Sequence, residues 1–554
     1  MGYVHGGRLV AQALKRHGTT HLFTLCGGHI QAIYDGCLDE EIRVVDVRHE
    51  QTAGHAADGY ARVTGRPGVC AVTAGPGVTD VVTAVANAQR AGIPMICIGG
   101  AGPKQLQDMG SLQDMDSVTL MRPITKWSVQ VPETRRIGEY IDAAFRIAQA
   151  GVPGPVFLEM PLDLLMNGND DADLPATRPF LETPRPAGDP RSIAKAAELL
   201  KNAQRPCFLV GSQLRWSPLR GDGESPGIVQ RAADAFAVPF YLNGMARGAL
   251  PADHPSLFSR SRRFSLAQAD VVFVFGTPFD FRVEYGRTPT WADGVKIVQV
   301  DLEGAELGRN RSIEIGIHGD SGLVLEQLVA AAGKKGAPEW LAAVRADEAK
   351  RRAKMAGEME ASESPPNPLR VCAELGKRLK KNDIVIGDGG DFVATAAYVL
   401  KMQWPQLWMD PGPLGTLGVG PGYAMAAKLA RPDANVVLVY GDGSFGLHAL
   451  EFEAMARQNI PVIAVIGNDA GWTQIRRGQV EIYGEPRAIA TALEYTRYEK
   501  VVEACGGFGA WVENVDELGP ALDAAFAHAS KTNKPACVNV KIAKSDFRKG
   551  AISV

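Results

Sequence analysis

Short apolar runs rich in valine and isoleucine recur along the chain, each separated from the next by a helix-length amphipathic stretch. The first block holds His21–Leu25, Arg43–Val47, Val69–Thr73, Met95–Gly99 and Val156–Met160. The second holds Pro206–Gly211, Val271–Gly276 and Lys296–Asp301. The third holds Asp383–Asp388, Asn435–Tyr440, Pro461–Gly467 and Ala536–Ile542. Runs that stay apolar instead of alternating with polar residues are those of strands buried on both faces. Regular interruption by helices makes them parallel βαβ units. The predicted fold class is therefore α/β, as three open parallel-sheet domains, whose ligands would bind beyond the carboxyl ends of the strands.

Two polar, proline-rich seams separate the blocks, at Asn167–Asp189 and Gly333–Pro368, placing domains at 1–168, 189–335 and 369–554. The second seam contains a charged stretch, RADEAKRRAKMAGEM, that reads as a helix. A length of 554 residues fits several domains. With Lys+Arg 59 against Asp+Glu 62, the chain has no basic excess for a phosphate polymer, which argues against nucleic acid. Eight cysteines are scattered without a Cys-x-x-Cys pair, against structural zinc or a disulfide framework. The N-terminus opens as an amphipathic helix and no run is long enough to span a bilayer, so a soluble, cytoplasmic protein without a membrane partner is expected.

The segment NVVLVY-GDGSFG-LHALEFEAMAR (Asn435–Arg457) ends a strand, turns on glycines and opens a helix. Gly441, Gly443 and Gly446 satisfy G-x-G-x-x-G, the dinucleotide pattern. Asp442 inside the turn changes the reading, because a carboxylate there repels phosphate oxygens unless a cation stands between them. A hard divalent ion, Mg²⁺ or Ca²⁺, would take oxygen ligands from both sides. The next strand, Pro461–Gly467, delivers Asn468 and the Ala470 carbonyl as further oxygen donors. The competing reading is a solvated Asp-Gly turn in an NAD site, with Asp469 as the ribose acid.

This spacing resembles the thiamine diphosphate (ThDP) motif, which begins Gly-Asp-Gly and ends in Asn. The resemblance implies Asp442, Asn468 and the Ala470 carbonyl as Mg²⁺ ligands, with Gly441, Gly443, Ser444 and Phe445 close to the diphosphate. Gly467 stands where many members have a first Asn. ThDP chemistry also needs a carboxyl group on the pyrimidine N1′ in a dry site. The segment IRVVDVRHEQTAGHAADGYARVTG resembles the family's pyrimidine-binding signature and presents Glu50 as that acid. Outside this context Glu50 would read as an acid stabilising a helix N-terminus.

Two more segments fit the family. In GPLGTLGVGPGYAMAA, Leu417 takes the place of the apolar residue between the cofactor's two rings, and the Gly415 carbonyl that of the acceptor for its 4′-amine. A plain core leucine is the alternative for Leu417. In GDGGDFVATAAYV, Gly390, Asp391 and Phe392 match a second diphosphate loop. The family implies a pyrimidine-binding, a middle and a diphosphate-binding domain in that order, and a homodimer or homotetramer whose sites take Glu50 and Asp442 from different subunits.

Within the family, GSLQDMDSVTLMRPITKWSV (Gly110–Val129) lacks the histidine pair of aldehyde-releasing decarboxylases and resembles the acetolactate synthase branch. Leu112, Gln113 and Lys126 would then face the substrate channel, Gln113 in a catalytic role; each could equally be a surface residue. In Phe279–Val283, Pro278 and Phe281 depart from the flavin-binding stretch of acetolactate synthases, so the middle domain is left between ADP or CoA and FAD. Over all three blocks the chain resembles 2-hydroxyacyl-CoA lyases of the acetolactate synthase-like branch. Trp472, Gln474 and Ile475 would line the cofactor and substrate face, with an ordinary buried aromatic as the alternative for Trp472. Arg260, Arg262 and Arg263, and the tail residues Lys541, Lys544, Arg548 and Lys549, are the candidate cations for CoA phosphates, or else solvated faces. The expected activity is cleavage of a 2-hydroxyacyl-CoA to an aldehyde and formyl-CoA, or the reverse condensation. The alternatives are an acetolactate synthase joining two pyruvates, an NAD-dependent oxidoreductase, and a non-catalytic ThDP-fold scaffold.

Overall fold

The structure is a computed structural model that describes residues 3–170, 183–221, 225–404 and 407–548. Three sheets of six strands, each parallel throughout, organise it. Across the first sheet the strands run Arg43–Asp46, His21–Thr24, Gly68–Val72, Met95–Ala101, Pro155–Pro161, Trp127–Gln130. Across the second they run Leu257–Phe258, Phe240–Leu242, Pro206–Val210, Val271–Phe275, Lys296–Asp301, Ile315–His318. The third runs Trp408–Met409, Ile384–Asp388, Val436–Gly441, Ile463–Asn468, Ala536–Lys541, Phe508–Val512.

Every run read as a strand from the sequence is a strand, with ends shifted by a residue or two. The strands that pattern overlooked lie at or beside sheet edges: Trp127–Gln130, Phe240–Leu242, Leu257–Phe258, Ile315–His318, Trp408–Met409 and Phe508–Val512. A two-stranded antiparallel pair, Tyr3–His5 with Gly168–Asp170, ties the N-terminus down before the Gly6–Arg16 helix begins. The charged stretch of the second seam is the Pro338–Met359 helix. Much of the first seam, and Lys549 of the tail, lie outside the described residues. Among the described residues no helix is long and apolar enough to cross a membrane.

The first and third sheets are joined by two helices that meet backbone to backbone. Glu50–Thr64 is buried along almost its whole length and packs on Gly420–Ala430. A Cβ on Gly59 would lie 2.7 Å from the Tyr423 Cα, and one on Gly422 would lie 2.7 Å from the Thr52 carbonyl oxygen, so any side chain there would force the helices apart. At the contact Asp58 accepts from Arg62 at 2.6 Å, Asn87 at 3.0 Å and the Tyr423 hydroxyl at 2.9 Å. Arg62 also donates to the Asp410 carbonyl at 2.8 Å. This fully buried pair keeps its charges satisfied by hydrogen bonds, and breaking it would strand an ion in the core.

Candidate active site

Strand Val436–Gly441 runs directly into the Asp442–His448 helix, as the Gly-rich turn predicts. The turn is tight against its neighbours. A Cβ on Gly443 would meet the Trp472 ring at 2.7 Å, and one on Gly389 would meet the Gly441 nitrogen at 2.7 Å. Only glycine lets the two loops and the Trp472 ring come this close.

Asp442 is 2% exposed and accepts from the Gly471 N–H at 3.0 Å. Burial, with the neighbouring Asp469 carboxylate adding to it, pushes its pKa up to about 7. Two acids brought together from adjacent, desolvated strand ends are the electrostatic setting that a divalent cation relieves. The Asn468 amide ends the adjacent strand, its nitrogen donating to the Thr496 carbonyl and to Asn539, its oxygen accepting from the Ala470 N–H at 3.2 Å. Ala470 adopts a left-handed φ of +55°, and its carbonyl accepts from the Leu493 N–H at 2.8 Å while keeping its second lone pair. Among the described residues no three His, Cys, Asp or Glu side chains cluster as metal ligands. The donors gathered here are instead one carboxylate, one carboxamide and one carbonyl, an all-oxygen set suited to Mg²⁺. The residues present fit a magnesium–diphosphate group.

Asp388 was not singled out from the sequence. It ends strand Ile384–Asp388, is fully buried, and accepts from the Ser444 hydroxyl, from Gly418 N–H at 3.0 Å and from Gly420 N–H at 2.8 Å. One carboxylate thus holds the diphosphate turn to the Gly415–Gly420 segment that carries Leu417. Burial pushes its pKa up to about 6 despite these three donors. The only hint in the sequence is an acid closing an otherwise apolar strand.

Two of the candidate residues have partners of their own. Asp391 is ion-paired with Arg477, with Arg548 at 3.8 Å, so its charge is already neutralised and does not stand free toward phosphates. Phe445 is wholly buried among Tyr440, Phe452 and Tyr498, so it serves the core and leaves only its backbone for a ligand. Phe392 is likewise buried, its ring against Gly467, where a Cβ would come within 2.4 Å. Gly390 packs on Gln474, Leu417 is half-buried, Gly415 is exposed at φ +68°, and Ile475 is 48% exposed.

Glu50 opens the Glu50–Thr64 helix, with His49 as N-cap accepting from the Gln51 N–H. It is 8% exposed, and burial, reinforced by Asp80, raises its pKa. Gln113 has a left-handed φ of +63° and packs over Gly75, while Leu112 is 78% exposed. The Lys126 ammonium donates to the Ala150 and Val152 carbonyls, its side chain lines a cavity beside the middle sheet, and burial lowers its pKa to about 8.

Two cavities flank the middle sheet. One of about 630 Å³ opens at the carboxyl ends of its strands, lined by Gln213, Gly276, Thr277, Asp301, Glu303 and Arg309 among others. Asp301 is buried there, accepts from Gln213 at 2.7 Å and from the Glu303 N–H at 2.8 Å, and leaves its other oxygen unpartnered. The other, about 250 Å³, lies between the middle and third domains. Arg247, Arg260, Arg262, Arg263, Arg352 and Lys401 line it, with Glu284 as the one acid among its lining residues. Arg260 lies over the rings of Tyr398 at 4.4 Å and Phe547 at 5.0 Å, and Arg262 donates to the Arg282 carbonyl.

Comparison with known proteins matches three family models in sequence. Residues 4–120 match the N-terminal TPP binding domain of thiamine pyrophosphate enzymes, residues 193–328 the central domain, and residues 388–540 the C-terminal TPP binding domain. The chain is 40% identical to a 2-hydroxyacyl-CoA lyase 2 of Bos taurus and 39% identical to that of Homo sapiens, in each case over 99% of this chain and 92% of the relative. It is also 38% identical to an acetolactate synthase large subunit of Mycobacterium tuberculosis, over 97% of this chain and 95% of that protein.

Proposed function

The chain belongs to the thiamine pyrophosphate enzyme family, and on that premise we propose that it cleaves 2-hydroxyacyl-CoA to an aldehyde and formyl-CoA, or runs the reverse condensation. The observation that carries this reading is the basic cavity. Five arginines and a lysine line it beside the single lining acid Glu284, with Arg352 paired to Glu348, and the remaining positive charge suits the phosphates of a CoA better than a pair of pyruvates. The Asp391–Val399 helix runs from the diphosphate loop to this cavity, which Ala397 and Tyr398 line. Its length of roughly 13 Å is one an extended pantetheine arm covers. In this reading Arg260, Arg262 and Arg263 hold the phosphates, and the acyl end lies near Gln474 and Ile475.

Asp442, Asn468 and the Ala470 carbonyl would hold Mg²⁺, and Gly441, Gly443, Ser444 and Gly390 would cradle the diphosphate. When bound, thiamine diphosphate supplies a nucleophilic carbon and a sink for the electron pair of the broken C–C bond. Glu50 would share a proton with the pyrimidine N1′ in a dry site, which the upward shift of its pKa by burial favours. Leu417 and Trp472 would shield the bound group from water. The resemblance to the family supports a homodimer or homotetramer in which each site draws on two subunits. The larger cavity would take an adenine nucleotide such as ADP, its ribose hydroxyl on the free Asp301 oxygen, in preference to FAD.

The test is direct. Purified enzyme with Mg²⁺ and ThDP should release formyl-CoA from a 2-hydroxyacyl-CoA. Arg260→Ala and Arg262→Ala should each raise KM for the CoA substrate about tenfold, with kcat changed less. Acetolactate formed from pyruvate, with no formyl-CoA from any acyl-CoA offered, would replace this reading with the synthase.

A further inference from the structure

The helix Glu451–Arg457 of the third domain lies against the strand-to-helix turn that presents Glu50. Both Glu451 carboxylate oxygens accept from the Arg48 N–H, at 3.1 and 3.0 Å. Around them, Gln458 donates to the Asp46 carbonyl at 2.6 Å, Arg43 donates to the Gln458 carbonyl at 3.2 Å, and Arg457 pairs with Asp46 at 2.8 Å. These contacts are unequal. Arg457 and Asp46 are each about two-fifths exposed, where an ion pair is screened and contributes little. Glu451 is 1% exposed, and a charge-assisted hydrogen bond in so dry a place is among the strong ones.

The position of the bond gives it meaning. Strand Arg43–Asp46 has ended and the helix has not begun, so the Arg48 N–H has a partner in neither ladder. A carboxylate from another domain satisfies it two residues before Glu50, on the side of the helix start where negative charge is favoured. The His49 ring, accepting from the Gln51 N–H, holds the turn from the other side. Burial pushes the Glu451 pKa up to about 7, so this carboxyl is kept there at an electrostatic cost.

The geometry points to Glu451 as a positioning residue for Glu50: its carboxylate fixes the Arg48–Glu50 backbone and thereby the place from which Glu50 meets the cofactor. This rests on Glu50 being the pyrimidine acid proposed above, and the experiment separates the two claims. Glu50→Gln is compared with Glu451→Met, which removes the acceptor at similar size, and with Glu451→Gln, which keeps a neutral one. Glu451→Met should lower kcat about ten- to a hundredfold, since small misplacements of a reacting group are that costly. Substrate KM should move less than about threefold, and Glu451→Gln should recover most of kcat.

In the apoprotein, amide hydrogen exchange at residues 48–52 should quicken about tenfold in the Met variant, with no change across residues 420–430. Glu451→Asp, which keeps the charge but withdraws it by one methylene, covers the case in which Met does not fold. It should lose about tenfold in kcat at an unchanged melting temperature. Equal kcat in the parent, Met and Asp variants while Glu50→Gln is dead overturns the positioning role alone. Normal turnover by Glu50→Gln overturns the reading beneath it as well.

Discussion

Two strand-to-helix turns, one in each outer sheet, place a carboxylate first in a helix, and they are built for opposite ends. Glu50 opens a 15-residue helix buried along nearly all its length, behind a histidine N-cap and a carboxylate from another domain. Asp442 opens a seven-residue helix on a glycine turn with no side-chain cap. Burial raises the pKa of both. At Glu50 the added influence is Asp80, which with burial raises the pKa and suits the proposed proton-sharing role. At Asp442 it is Asp469, and the pair, set beside carboxamide and carbonyl oxygens, suits the cation site proposed above. The same position relative to a helix dipole therefore does not define a role; the neighbouring charges and donors do.

The sharpest test of that contrast is Glu50→Gln. Turnover should fall about 10²- to 10⁴-fold, the usual worth of a positioned acid, while calorimetry finds ThDP and Mg²⁺ still bound. Retention of kcat within a few-fold would erase the distinction between the turns. Asp442→Ala should act on binding: ThDP affinity drops on the order of a hundredfold and no longer responds to EDTA, whereas Glu50→Gln keeps its EDTA sensitivity. If both variants lose metal dependence alike, the contrast drawn here is wrong.

The smallest effect concerns Asp388, the buried acid behind the Asp442 turn. Its folded pKa, about 6, lies above its ordinary value of 3.8, so folding favours the protonated form. Its stabilising contribution is complete below about pH 4 and is lost as pH rises through about 6. Asp388→Asn should flatten the fall in apoprotein melting temperature over that interval by about 2 °C or more, even if the variant melts lower overall from its lost acceptor. A melting profile parallel to the parent's would deny that Asp388 titrates there.

The same contrast explains what could be read without coordinates. Central strands such as Val436–Gly441 and Ile463–Asn468 were legible because burial on both faces forces a continuous apolar run. Trp127–Gln130 is half-buried throughout, and Leu257–Phe258 and Trp408–Met409 are two residues long, so their sequences carry no such mark. Among candidate site residues, Glu50, Asp442 and Asn468 could be proposed from sequence because each sits inside a local motif whose chemistry calls for that residue type. Asp388, Glu451 and Arg477 escaped because their partners lie far off in sequence: Ser444 for Asp388, Arg48 for Glu451, Asp391 for Arg477. The engagement of Phe445 with the core and of Asp391 with Arg477 was invisible for the matching reason, since a local motif says nothing of a side chain's distant partners.

Sequence by itself determined the parallel sheets, the glycine turn with its acid, and the family, because strand burial and close backbone approach restrict residue type position by position. Only the tertiary structure decided which carboxyls are satisfied, which arginines surround a cavity, and that Glu451 reaches across a domain boundary to the turn before Glu50. Those outcomes depend on desolvation and on distances between segments hundreds of residues apart, and no local pattern encodes either.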